Sequence, residues 1–83
     1  MTLLYFAWVR QKLGKGQEEI DAPASVRTVN DLIAWLAARD AAYAEIFADP
    51  KRLRAAVNHD HVSFEAPVSA NDEVAFFPPV TGG

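Results

Sequence analysis

Two strongly apolar runs lie at opposite ends of the chain, Leu3-Leu4-Tyr5-Phe6-Ala7-Trp8-Val9 near its start and Val74-Ala75-Phe76-Phe77 near its finish. Each has the length of a strand and is bounded by polar or turn residues. Because neither alternates cleanly, both faces of each strand are apolar, which is the pattern of strands at the centre of a sheet. If the two ends of the chain pair side by side, the residues between them supply the flanking strands and a covering layer. At 83 residues there is room for one small domain, near the size at which folding buries only about 60% of the unfolded surface.

Between the runs, Gly14-Lys15-Gly16 reads as a turn, and residues 17–22 read as a second strand returning antiparallel to the first, a hairpin with a wide loop. Thr28 is an N-cap candidate with Asp31 three residues on, and Val29, Leu32, Ile33 and Leu36 fall on one helical face. Residues 41–48 continue with helical composition until Asp49-Pro50. Leu53, Ala55 and Val57 alternate with Arg54, Ala56 and Asn58 as in a half-buried strand. A short strand follows around residues 61–64, and Pro78-Pro79 ends the last strand by removing two backbone donors.

The expected fold is α+β: a mixed sheet with one main helix packed across one face and a short second helix, of the ubiquitin-like β-grasp kind. The expected boundaries are a domain over residues 1–78 and an extended tail over residues 79–83 ending in Gly82-Gly83. In the first strand Leu3, Tyr5, Ala7 and Val9 face one way and Leu4, Phe6 and Trp8 the other, while Val74 and Phe76 oppose Ala75 and Phe77. One helix covers only one set. Phe6 and Phe77 are assigned to the open face, with Val80 extending it towards the tail, because a docking surface accounts for aromatic residues facing water.

Composition narrows the chemistry. Cysteine is absent, which excludes a disulfide scaffold, a thiolate nucleophile, Cys-based metal sites and a persulfide held on a side chain. A net charge of −3 offers no basic field for nucleic acid or an anionic membrane. The apolar start lacks a charged leader and is too short to span a bilayer, so a cytoplasmic location is expected.

Gly14-Lys15-Gly16 lacks the pattern of a phosphate loop. His59 and His61 project from one side of a strand but have no third ligand nearby, so no metal site is expected. Trp8 and Trp35 read as core or interface area, and Glu18, Glu19 and Asp21 as acids guarding an edge strand. Arg10 and Arg54 are either solvated charges or partners for acids or a phosphate on another molecule.

Phe6-Ala7-x-x-Arg10 with Gly14, Ala55-Ala56-Val57-Asn58, and above all Asp72-Glu73-Val74-Ala75-Phe76-Phe77-Pro78-Pro79-Val80-Thr81-Gly82-Gly83 resemble the small, sulfur-carrying subunits of molybdopterin synthase. Arg10 gains weight over Arg54 as a partner contact because it lies within that pattern. The family usually has Gly where this chain has Asn71, a residue that tolerates the left-handed conformation such a turn wants.

The resemblance implies a sulfur carrier for molybdenum cofactor biosynthesis with no independent activity and no cofactor of its own. Its Gly83 carboxylate is adenylated by an ATP-using, E1-like activating enzyme and converted to a thiocarboxylate. The large synthase subunit then uses that sulfur to build the dithiolene from a cyclic pterin precursor. Val80, Thr81 and Gly82 would thread into the partner, with Phe6, Arg10 and Phe77 at the interface. A carrier for thiamine or another sulfur-containing product shares the glycine tail, although the Phe76-Phe77-Pro78-Pro79 segment argues against it. A ubiquitin-like modifier joined to lysines through Gly83 also remains open.

Overall fold

The computed structural model describes residues 1–79, so the expectations placed on Val80, Thr81, Gly82 and Gly83 lie outside the described residues. The ends of the chain do meet. Strand β1 (Thr2–Tyr5) runs parallel to β5 (Glu73–Phe77), with Thr2 beside Glu73 and Tyr5 beside Phe76. β2 (Gln17–Glu19) pairs antiparallel with β1 at one edge. On the other side β3 (Arg54–Val57) pairs antiparallel with β5 and β4 (Asp60–Val62) with β3, giving a five-stranded mixed sheet of order β2-β1-β5-β3-β4.

The first apolar run does not continue as a strand to Val9. It stops at Tyr5, and helix α1 (Ala7–Leu13) replaces the expected wide hairpin loop. The break falls at Ala7, whose φ of 52° turns the chain out of the sheet. Val9 and Leu13 are one helical turn apart, so a helix buries the first fully and half-buries the second, while Arg10, Gln11 and Lys12 face solvent. Gly14 serves as the stop of this helix: at φ 75° its N–H donates to the Arg10 carbonyl at 2.9 Å, a left-handed cap that glycine forms without Cβ strain. Ala7 is consequently exposed, whereas the expectation placed it inside with Leu3 and Tyr5.

Helix α2 (Val29–Arg39) starts where the sequence indicated. Thr28 Oγ1 accepts from the Asp31 N–H at 3.1 Å and Asp31 Oδ2 accepts from the Thr28 N–H at 3.2 Å, a capping box that satisfies two otherwise orphaned donors. Its Val29, Leu32 and Leu36 are fully buried against the sheet. Asp40 then caps a separate short helix, α3 (Ala41–Ile46), which buries Tyr43 and Ile46. A 3₁₀ turn (Pro50–Arg52) leads into β3. Beneath the helices Phe76 is enclosed by Tyr5, stacked at 6.5 Å, and by the edge of Phe47 at 5.0 Å.

Two boundaries and one turn differ from the sequence reading. The second strand ends at Glu19, because β1 offers only Thr2, Leu3 and Leu4 as its partners. The short strand is Asp60–Val62, set by a two-residue turn at Asn58 and His59, which have φ of 50° and 74°. Two successive positive φ values are the signature of a type I′ hairpin. Asn71 makes its turn without left-handed geometry, since Ala7, Asn58 and His59 are the described non-glycine residues with positive φ.

Candidate functional site

The helices cover one face of the sheet and leave the other open. Along β5 the alternation is sharp: Val74 and Phe76 are fully buried, whereas Ala75 and Phe77 are half-buried. Strand register carries that open face sideways, because directly paired residues share a face. Leu4 lies beside Ala75, Ala75 beside Ala56, and Ala56 beside His61. These residues, with Phe6, Phe77, His59 and Glu73, line a shallow concavity of about 360 Å³. Phe6 is 47% exposed, the most exposed large apolar side chain among the described residues. It precedes α1, and its N–H donates to the Phe76 carbonyl at 3.2 Å, fixing it where β1 leaves the sheet.

The floor is built by the Ala55-Ala56-Val57-Asn58 segment. Ala55 faces the core beside Phe76, and Ala56 faces the open side beside Ala75, so only small side chains rise from the middle of the floor. Asn58 ties the hairpin to the start of β5. Its N–H donates to the Glu73 carbonyl at 2.8 Å, its Oδ1 accepts from the Glu73 N–H at 3.0 Å, and its Nδ2 donates to Asp72 Oδ1 at 3.0 Å. His59 sits at the exposed tip of this turn with Nε2 3.2 Å from Glu73 Oε2. Among the described residues, no group of three or more His, Cys, Asp or Glu is placed to hold a metal ion.

Phe6 and Phe77 are thus brought together on the open face, Phe6 as the N-cap of α1 just beyond the strand; Trp8, which the alternation placed on the same side, instead packs against the core because α1 has replaced the strand there. Arg10 is not among the residues lining that concavity. It lies on α1, and its side chain runs back over Gly16, where an added Cβ would stand 3.1 Å from Nε and 3.2 Å from Cζ. Trp8 and Trp35 are half-buried against the core, covered by Arg52 at 4.4 Å and Arg39 at 4.7 Å respectively.

Glu18 is a residue whose role the sequence reading missed. Beyond lying on an edge strand, its Oε1 accepts from the Tyr5 hydroxyl at 2.7 Å and the Tyr43 hydroxyl at 2.6 Å, and its Oε2 from Lys15 Nζ at 2.9 Å. Burial pushes the Glu18 carboxyl up, but the donors on Tyr43, Lys15 and Tyr5 outweigh it and hold the group below its ordinary value. Burial and then Glu18 itself raise both phenols, and the hydrogen bond to Glu18 raises Lys15. This cluster pins β2 and α3 to β1. A signal was present in the two tyrosines, since a buried phenol needs an acceptor, but nothing local identified Glu18 as that acceptor.

A mixed sheet whose first and last strands pair in parallel at its centre, crossed on one face by a capped helix, defines the ubiquitin-like β-grasp class. The ThiS family model matches residues 3–83, and the chain belongs to that family. It is 46% identical over 83 residues to the molybdopterin synthase sulfur carrier subunit of Escherichia coli, covering 100% of this chain and 99% of that protein. It is 34% identical to the Dictyostelium discoideum protein of the same name, covering 98% and 93%. Among solved structures, SAMP1 from Haloferax volcanii superposes with a TM-score of 0.76 at 26% identity, covering 100% of this chain and 98% of that one.

Proposed function

We propose that this chain is the sulfur carrier subunit of a molybdopterin synthase, working in molybdenum cofactor biosynthesis. The observation that carries the reading is its end-to-end likeness to proteins of that name. The open face that leads from Phe6 through Phe77 to the root of the tail supports it.

In this reading residues 1–78 form a platform and residues 79–83 a reactive tail. The Gly83 carboxylate attacks the α-phosphorus of ATP on an E1-like activating enzyme, releasing pyrophosphate and leaving an acyl adenylate. A sulfur donor displaces AMP to give the thiocarboxylate. Such a group is ionised and nucleophilic near neutral pH, for the reason that a thiolate is the reactive form of a thiol. The large synthase subunit binds the open face through Phe6 and Phe77, with Arg10 at the margin. It also receives Val80, Thr81 and Gly82 in a pocket that keeps water from the activated end.

The test mixes purified thiocarboxylated protein, the large subunit and the cyclic pterin precursor without the activating enzyme. One turnover of dithiolene product is expected. Absence of product despite a verified thiocarboxylate rejects the function. A second reading, a ubiquitin-like modifier, draws on the likeness to SAMP1, named elsewhere as small archaeal modifier protein 1; conjugates between Gly83 and lysines in cells would favour it.

A further inference from the structure

The sheet has two electrically different ends. Where β1 and β5 begin stand Glu19, Asp72 and Glu73, and Asp60 lies nearby at the start of β4, next to Val57. At the opposite end, where β5 stops at Phe77, stand Arg10, Lys12, Lys15, Lys51, Arg52 and Arg54, with Asp49 capping the turn that carries Lys51 and Arg52. Lys12 and Lys15 are neutralised by Glu45 and Glu18. Among the described residues, no carboxylate forms an ion pair with the other four, all of which are exposed. Of the six lysines and arginines without an ion pair among the described residues, four thus stand around the root of the tail, in a chain of net charge −3; the other two are Arg27, beside Met1 and Val68, and Arg39, stacked on Trp35.

Their placement is fixed by the fold. Arg54 opposes Phe77 in the β3–β5 register, so it leaves the sheet on the same face, and its Nη1 donates to the Leu53 carbonyl at 2.9 Å. Lys51 and Arg54 share the rim of a second, open concavity of about 580 Å³, in which Glu65 is the one acidic lining residue. Arg52 is held by its stacking on Trp8. Arg10 lies over Gly16, whose carbonyl accepts from the Tyr5 N–H at 2.9 Å, on the far side of β1 from β5. From there to Arg54 is about three strand spacings, roughly 14 Å.

We infer that Arg10, Lys51, Arg52 and Arg54 form a basic collar that docks on an acidic rim around the protein pocket that receives the tail. The span is too wide for one phosphate of a small molecule, and the acidic far end of the sheet repels a nucleic acid, which needs a continuous basic field. The collar is continuous with the apolar face through the Arg54–Phe77 pair. Apolar contact supplies the lasting part of the interface; the collar speeds encounter and orients the tail towards the pocket.

This inference rests on the proposed partnership with a large synthase subunit, and the test separates the two. Association with that subunit is followed by stopped flow for the wild type, Lys51→Gln/Arg54→Gln and Arg10→Gln, at about 0.01 M and 1 M salt, where charges are screened beyond about 30 Å and 3 Å respectively. At low salt the double variant should associate about tenfold more slowly and Arg10→Gln several-fold more slowly. At high salt all three should converge, with dissociation rates little changed. Association rates that are equal at low salt overturn the collar while leaving the partnership standing; no wild-type complex at all overturns both. Binding of a single-stranded RNA oligonucleotide that the double variant loses, with unchanged association to the subunit, would also overturn it by assigning the patch to a polyanion.

Discussion

The His61 ring lies against Phe77 with centroids 5.1 Å apart, so the edge strand β4 reaches across β3 to shield part of the aromatic residue from which the tail departs. Phe77 is therefore held in place without being core: its neighbour Phe76 has no exposure, and Phe77 is half-buried. Phe77→Ala is expected to keep the fold, with a small shift in its urea midpoint, yet to lose about 2 kcal/mol or more of affinity for the large subunit, as truncation of a central interface aromatic does. Equal losses in folding stability and in binding, measured by urea titration and calorimetry, would place Phe77 in the core instead.

The Glu18 cluster makes a prediction about acid. Its carboxyl is held below the ordinary value of 4.5, so the folded state favours the charged form. That contribution is present in full above the unfolded value and disappears as pH falls through the lower folded value. Glu18→Gln keeps an acceptor for one phenol but has no charge to lose. Urea unfolding between pH 7 and pH 3 should therefore show a smaller fall in stability for the variant than for the wild type. At pH 7 Glu18→Ala should cost about 1 to 3 kcal/mol, because the buried Tyr5 hydroxyl loses its acceptor. Parallel pH profiles for Glu18→Gln and the wild type would show that the carboxylate contributes nothing through its charge.

What could be read from residues was local and repetitive: the central strands from their apolar runs, α2 from its capping box and 3.6-residue spacing, and the open-face assignment of Phe6 and Phe77 from alternation. Helix α1 escaped because residues 3–9 are apolar throughout, and a continuous apolar run carries no period that distinguishes a strand from a buried helix. The switch is made by backbone geometry at Ala7, a residue with no turn signature. Glu18 was readable as an edge acid but not as the acceptor shared by two phenols, since Tyr5 and Tyr43 lie 13 and 25 positions away. The uneven charge of the two sheet ends likewise arises only when register sets Arg54 beside Phe77 and Glu73 beside Thr2.

The capping box offers a control on the helical face. Thr28→Ala removes the acceptor for the Asp31 N–H and should cost about 1 kcal/mol of folding stability. The site lies at the start of α2, on the covered side of the sheet, so affinity for the large subunit should be unchanged once the protein is folded. A loss of binding at a temperature where the variant is fully native would mean that α2 contributes to the interface.

The last prediction concerns Gly83 itself. If the terminal carboxylate is the group that is adenylated and sulfurated, the chemistry requires both its presence and its freedom from any following peptide bond. No cysteine exists to hold sulfur elsewhere on the chain. Deletion of Gly83, or addition of one residue after it, should abolish dithiolene formation in the complete system with the activating enzyme, ATP and a sulfur source. Both variants should keep the wild-type unfolding curve, because the last strand ends at Phe77. Both should also still bind the large subunit through Phe6 and Phe77, which separates a lost reactive group from a lost interface. Intact mass should show replacement of one terminal oxygen by sulfur in the wild type and in neither variant. Full sulfur transfer by the chain lacking Gly83 would rule out the terminal carboxylate as the carrier.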